Sequence, residues 1–254
     1  MQESIPGSIA SPSGNQIAYV RTNGKTPGVI FCGGYMSDMT GTKALSLEAL
    51  CREMNHSFLR FDYSGHGASG GLFKDGTISS WTQDTLTVLD KIVTGPQILV
   101  GSSMGGWIIL LVALARKNRV QGLVGIAPAA DFTQRLLHEE LTCQQLTTLH
   151  RDGLIKIKSP YDEDPYVFTK ALLEDGMKHR ILNRTIELHC PVRFLHGMQD
   201  DSVPWQYSLE LANSLSSNDV EITLVKDGDH RLSEEDDIAR LRQTVVGLIE
   251  ATPA

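Results

Sequence analysis

The stretch Gln97-Ile98-Leu99-Val100-Gly101-Ser102-Ser103-Met104-Gly105-Gly106-Trp107, followed by Ile108-Ile109-Leu110-Leu111-Val112-Ala113-Leu114, decides the reading of this chain. A short apolar run rich in β-branched residues gives way, without a loop, to a longer apolar run of helical length. The junction carries the pattern G-x-S-x-G. A serine at such a junction stands on a sharp strand-to-helix turn that lifts its hydroxyl clear of a sheet. Small residues at Gly101 and Gly105 let strand and helix approach closely enough to make that turn. The new helix also points the positive end of its dipole at the hydroxyl.

Working outward, short β-rich runs bounded by glycine or proline recur at Gly28–Cys32, Ser57–Asp62, Gln97–Gly101, Gly122–Ala127, Val192–His196 and Val220–Val225. Helical patterns fall between most of them, at Thr42–Met54, Ile78–Val93, Ser103–Arg116, Trp205–Leu215 and Ser233–Ile249. Alternating strand and helix predict an α/β fold, a mostly parallel sheet with helices on both faces. Upstream, a turn at Pro12–Asn15 separates alternating stretches that end at Ala10 and begin at Gln16, which predicts an N-terminal β-hairpin at a sheet edge. Thr133–His189 contains no convincing strand and carries leucines at roughly helical spacing, Leu136, Leu137, Leu141 and Leu146. It is expected to be a helical lid over one continuous domain spanning 1–254.

The bulk properties narrow the partners. Across 254 residues the formal charge is −7 and the pI about 5.6, so no long-range field attracts nucleic acid or anionic lipid. Cys32, Cys51, Cys143 and Cys190 show no CxxC spacing, which favours free thiols in a reducing compartment. The N-terminal stretch lacks a basic region followed by an apolar one, and no apolar run reaches membrane-spanning length. A cytoplasmic protein is therefore expected.

A serine hydroxyl becomes a nucleophile only when a base takes its proton, and that base needs an acid to hold its tautomer. His230, in Lys226-Asp227-Gly228-Asp229-His230-Arg231 after the last predicted strand, stands where an imidazole reaches the elbow. Asp200 is the carboxylate nearest the end of the strand that closes at His196. Asp201 is its close rival, with a helix N-terminal role as the alternative, and Asp131 is a weaker one. His196, just before a turn glycine, is read as a loop support. Oxyanion donors are expected at the backbone N–H of Met104 and of Tyr35, the latter after Cys32-Gly33-Gly34. Leu136, Leu137, Tyr166 and Phe168 are expected to wall an acyl pocket, with ordinary core packing as the alternative. Arg180 or Arg184 is expected to steer an anionic leaving group. Neither metal nor organic cofactor is expected: no H-E-x-x-H pattern is present, and the serine at the elbow excludes the aspartyl chemistry of dehalogenation.

Together these residues resemble the α/β-hydrolase superfamily over nearly the whole chain, including Asp62-Tyr63-Ser64-Gly65-His66-Gly67-Ala68-Ser69, similar to its structural D-x-x-G-x-G-x-S turn. Gly41-Thr42-Lys43-Ala44-Leu45, Arg60–Gly65, Gly95–Ser103 and His196–Trp205 resemble more narrowly a mitochondrial acyl-protein thioesterase and acyl-glucuronide esterase branch. The resemblance implies a triad of Ser103, Asp200 and His230, and hydrolysis of small carboxylic esters or of S-acylated protein, with the mitochondrial matrix as an alternative location. Cys32-Gly33 departs from the superfamily's common His-Gly at the oxyanion turn. Other readings are a serine peptidase or carbon–carbon bond hydrolase on the same triad, or a non-catalytic ligand receptor of the same fold.

Overall fold

The computed structural model describes residues 3–159 and 164–251. Its main sheet has eight strands in the order β1-β2-β4-β3-β5-β6-β9-β10. They span Ile5–Ala10 (β1), Gln16–Thr22 (β2), Lys25–Cys32 (β3), His56–Phe61 (β4), Gln97–Ser102 (β5), Val120–Ile126 (β6), Val192–Gly197 (β9) and Val220–Val225 (β10). β1 and β2 form the expected edge hairpin, closing at Ala10 opposite Gln16. β2 runs antiparallel to β4, and every later pairing is parallel.

Period-two alternation divides the core between the sheet's faces. Ile98 and Val100 pack with Val29 and Phe31 on one face, under helices α1 (Thr42–Glu53) and α8 (Glu235–Ala251), while Leu99, Ile30 and Cys32 face the other. That second face is covered by α2 (Ile78–Lys91), α3 (Met104–Ala115) and α7 (Gln206–Ser214), whose Leu211 is buried there. α3 is apolar almost all round because it lies between the sheet and α2, with Trp107, Ile108 and Val112 fully buried. α8 is the amphipathic counterpart. Leu241, Val245 and Leu248 form its buried stripe, and Glu235, Asp236 and Asp237 set negative charge at the positive end of its dipole. Burying each such aliphatic side chain is worth about 1.5–3 kcal/mol.

Strand β4 lies on one side of β3 and β5 on the other, so the winding direction reverses there. A crevice opens at such a reversal, at the carboxyl ends of the strands.

The segment between β6 and β9 departs from the expectation of an all-helical insertion. It contains the short helices α4 (Phe132–Arg135), α5 (Cys143–Asp152) and α6 (Lys170–Gly176), and a π-turn at Leu136–Glu140. It also contains a two-stranded antiparallel sheet, β7 (Leu154–Ile157) with β8 (Tyr166–Thr169). Strands of four residues are too short to register as a periodic pattern, and tertiary contacts through an aromatic cluster stabilise them. Leu136 and Leu137 lie in the π-turn and Leu141 just beyond it, so only Leu146 of the four spaced leucines sits on an α-helix. Among the described residues no helix is long and apolar enough to cross a membrane.

Candidate active site

Ser103 stands between β5 and α3 with φ 53° and ψ −117°. A non-glycine residue in this region stores backbone strain, held here by the hydrogen bond from the Ser103 N–H to the Ile126 carbonyl at 2.8 Å. The two flanking glycines are sterically required. A Cβ at Gly101 would lie 2.3 Å from the Gly105 carbonyl oxygen, and one at Gly105 would lie 2.3 Å from that of Cys32. β3, β5 and α3 therefore meet backbone to backbone under the serine.

Two loops from the same sheet edge converge on it. His230, after β10, sets Nε2 3.1 Å from Ser103 Oγ, and its Nδ1 lies 2.7 Å from Asp200 Oδ2, after β9. A carboxylate facing Nδ1 fixes the proton on that nitrogen and leaves the Nε2 lone pair toward the hydroxyl. Gly197 makes the convergence possible, because a Cβ there would lie 2.2 Å from the Gly228 carbonyl in the histidine loop.

The Asp200 side chain is completely buried. Its Oδ1 accepts the backbone N–H groups of Ser202 and Val203 at 2.8 and 2.7 Å. Burial by itself pushes the carboxyl upward. Hydrogen bonds from His196 and His230, the nearby His230 charge and the Val203 N–H together outweigh that and hold it well below the usual carboxylate range. Asp200 is thus ionised at neutral pH.

His196 is buried with 0% exposure, and it does more than support a loop. Its Nε2 faces Asp200 Oδ2 at 3.1 Å and the Val203 carbonyl at 2.8 Å; two acceptors require the proton there, so Nδ1 accepts from the Ser208 hydroxyl at 2.7 Å. The i, i+4 spacing of His196 and Asp200 was visible in the sequence. The turn between them, which lets both side chains meet, was not.

The rival acids lie elsewhere. Asp201 is exposed. Asp131 is buried at φ 55°, and its carboxylate accepts the N–H groups of Ile181 and Leu182, anchoring the returning end of the insertion.

The strap after β3 runs against the elbow: a Cβ at Gly34 would touch the Ser103 Cβ at 3.5 Å. Tyr35 follows directly, and Met104 opens α3, where the leading N–H groups have no partner within the helix. The Tyr35 side chain turns away into the insertion. Its hydroxyl donates to the Val167 carbonyl at 2.5 Å, and its ring stacks on Phe168 with centroids 5.1 Å apart and planes 8° from parallel. Phe73, Trp81, Phe132 and Tyr166 surround the same ring edge-on. The Asp62–Ser69 turn braces the strap from below, Asp62 accepting the N–H groups of Met39 and Ala68 at 2.7 and 2.8 Å. Cys32, beneath the strap, has its thiol pushed up to about 12 by burial, partly opposed by a hydrogen bond from Tyr63, and is no nucleophile at neutral pH.

Leu136 and Phe168 are buried in the core cluster that continues into the insertion, with Leu137 and Tyr166 packed against it. Arg180 is half-buried and its charge acts on Asp131, whereas Arg184 is exposed. Cys32, Cys51, Cys143 and Cys190 are all free thiols.

The chain as a whole has close counterparts. The family profile described as "Serine aminopeptidase, S33" matches residues 27–237. The mitochondrial palmitoyl-protein thioesterase ABHD10 of Mus musculus is 43% identical over 92% of this chain and 79% of its own length; that of Homo sapiens is 41% identical over 92% and 76%. The crystal structure of a putative hydrolase from Agrobacterium vitis S4 superposes with a TM-score of 0.93 at 43% identity, covering 98% of this chain and 99% of that one. The structure of mouse α/β hydrolase domain-containing protein 10 superposes at 0.90 with 40% identity, covering 97% and 98%. The chain therefore belongs to the serine aminopeptidase S33 family of α/β hydrolases, on the thioesterase branch that ABHD10 represents.

Proposed function

We propose that this chain cleaves carboxylic thioesters and esters through an acyl-enzyme on Ser103, with His230 as general base and Asp200 as its orienting anion. The observation that carries the reading is the hydrogen-bonded line from Ser103 Oγ through His230 to Asp200, at 3.1 and 2.7 Å. Ser103 Oγ attacks the acyl carbon as His230 Nε2 takes its proton. The N–H groups of Met104 and Tyr35 receive the developing oxyanion. His230 then returns the proton to the departing thiol or alcohol, and accepts one from the water that clears the acyl group. Asp200 stays ionised throughout and stabilises the transient imidazolium.

S-acylated protein cysteines are the proposed substrate class, on the strength of what the ABHD10 relatives are named for. Small carboxylic esters such as acyl glucuronides are the second, with Arg180 or Arg184 near the leaving group. In this reading the chain acts as one domain, and residues 133–189 form a lid whose Leu136, Leu137, Tyr166 and Phe168 line the acyl path. Because Leu136 and Phe168 are buried and Phe168 is stacked on Tyr35, a long acyl chain enters only as this aromatic layer parts. Four free thiols suit a reducing compartment, the cytoplasm or the matrix of the mitochondrion, the organelle for which the relatives are named.

The test is steady-state hydrolysis of a palmitoyl-cysteine peptide, an acyl glucuronide and an aminoacyl anilide by wild type, Ser103→Ala and His230→Ala. Turnover of the thioester, abolished in both variants, supports the proposal. Turnover confined to the anilide indicates a peptidase, and no turnover of any substrate together with tight acyl-ligand binding indicates a receptor.

A further inference from the structure

His230 is delivered by a short loop, Gly228 to Ser233, whose backbone is pinned at several points. Asp229 Oδ1 accepts the N–H groups of Arg231 and Leu232, both at 2.9 Å. Leu232, at φ 43°, drops its side chain into the core on the α1 and α8 side of the sheet, in the cluster that includes Ala44 and Leu47. The third pin comes from outside the loop. Lys43, the second residue of α1, is half-buried, and its Nζ donates to the carbonyl oxygen of Arg231, the residue directly after the histidine. The same ammonium donates to Ser233 Oγ at 3.2 Å. The contact spans 188 residues of sequence and joins α1 to the loop carrying the base.

Holding an ammonium in this half-buried place is unfavourable unless its donors are used. Burial, aided by the Arg231 charge and opposed by Asp229 and Asp237, pushes Lys43 down to about 8, so it still carries its charge at pH 7. A charged donor on a backbone carbonyl makes a stronger bond than a neutral one. The carbonyl it holds belongs to the peptide unit one residue from the imidazole, and a misplacement of about 1 Å at a reacting group can cost about a hundredfold in rate.

We propose that Lys43 is a positioning residue for the reaction: its side chain fixes the Arg231 carbonyl, and through it the loop that keeps His230 Nε2 on Ser103 Oγ. This rests on the reading of Ser103 and His230 given above. Lys43 bonds the histidine loop at Arg231 and Ser233, beyond the histidine itself, so it should act on the rate of the chemical steps and leave substrate binding alone.

The experiment compares wild type, Lys43→Met, Lys43→Arg and His230→Ala at pH 7 on a p-nitrophenyl ester. Active sites are counted by end-point labelling with a fluorophosphonate, so that turnover refers only to folded, competent molecules. Lys43→Met should lower kcat per titrated site about tenfold with KM within twofold of wild type, and Lys43→Arg, which restores a charged donor, should regain most of it. If Lys43→Met keeps wild-type kcat per titrated site, or loses activity only by reducing the number of titratable sites, Lys43 is merely structural and the proposal is overturned. If Lys43→Arg is as slow as Lys43→Met, the tether is not what matters and the proposal is again overturned. Full turnover by His230→Ala would refute the reading of the site itself, whereas an inactive His230→Ala beside a fully active Lys43→Met would refute the Lys43 proposal alone.

Discussion

His196 and His230 share one oxygen of Asp200: Nε2 of the first lies 3.1 Å, and Nδ1 of the second 2.7 Å, from Oδ2. One histidine faces the Ser103 hydroxyl and the other is fully buried behind the carboxylate. Asp200 is therefore held from the rear by a fully buried group, and its orientation does not depend on the His230 imidazole alone.

Replacing His196 by Phe tests that arrangement. The substitution removes a donor to Asp200 and leaves the Ser208 hydroxyl and Val203 carbonyl without their buried partner. An unsatisfied buried group costs about 1–3 kcal/mol, so the expected loss is about 2–4 kcal/mol in urea unfolding, with roughly a tenfold fall in kcat. A variant as stable and active as wild type would show that the rear bond contributes nothing.

Asp200→Asn should behave differently, with turnover falling by roughly 10⁴-fold because an amide can no longer dictate the His230 tautomer. Its stability also has a defined pH dependence. The folded carboxyl lies below its unfolded value of about 3.9, so the unfolded chain binds the proton more readily. The stabilisation is present above about pH 4 and is lost as pH falls toward the lower folded value. The stability gap between wild type and variant should accordingly narrow between pH 5 and pH 3, about one unit to either side of that value, as measured by urea denaturation across that range.

His66 gives a second acid-side signature. It is buried among Tyr63, Phe73 and Trp81, and its Nε2 has no hydrogen-bond partner among the described residues. Burial, only partly offset by the Ser64 carbonyl, pushes it down to about 4. Between there and its ordinary value of about 6.5 the unfolded chain binds the extra proton, so stability declines as pH drops through this window. His66→Phe should flatten that decline in thermal melts at pH 4.5 to 6.5, roughly the interval between the two values; an unchanged slope would assign it to other groups.

Tyr35→Phe removes one hydroxyl from the contact between the strap after β3 and strand β8. About 1 kcal/mol of stability should be lost. Amide exchange should rise in 154–157 and 166–169 while the main sheet stays protected, and exchange identical to wild type would show that the hairpin does not depend on this bond.

Much of this was legible in the chain. The elbow, the alternation of strand and helix and the edge hairpin all follow from local pattern, since a parallel strand buried on both faces and a helix starting at G-x-S-x-G leave few alternatives. The positions of Asp200 and His230 after successive strands were also readable, because loops at one sheet edge carry both. What stayed hidden depends on contacts distant in sequence. The β7–β8 hairpin is held by Tyr35, more than a hundred residues upstream, and its four-residue strands carry no periodic signal of their own. The pairing of His196 with Asp200 needs the turn geometry of Gly197 to Val203. Lys43 stood in a recognisable motif, yet only the fold brings it to Arg231.

The central claim is that Ser103 carries the acyl group, and trapping that intermediate tests it most directly. Wild type mixed with an activated palmitoyl thioester and quenched within one turnover should show one added palmitoyl mass, located by peptide mass spectrometry on Ser103, with no adduct on Ser103→Ala. Sustained thioester cleavage by Ser103→Ala, or an adduct on a cysteine in place of Ser103, would contradict it.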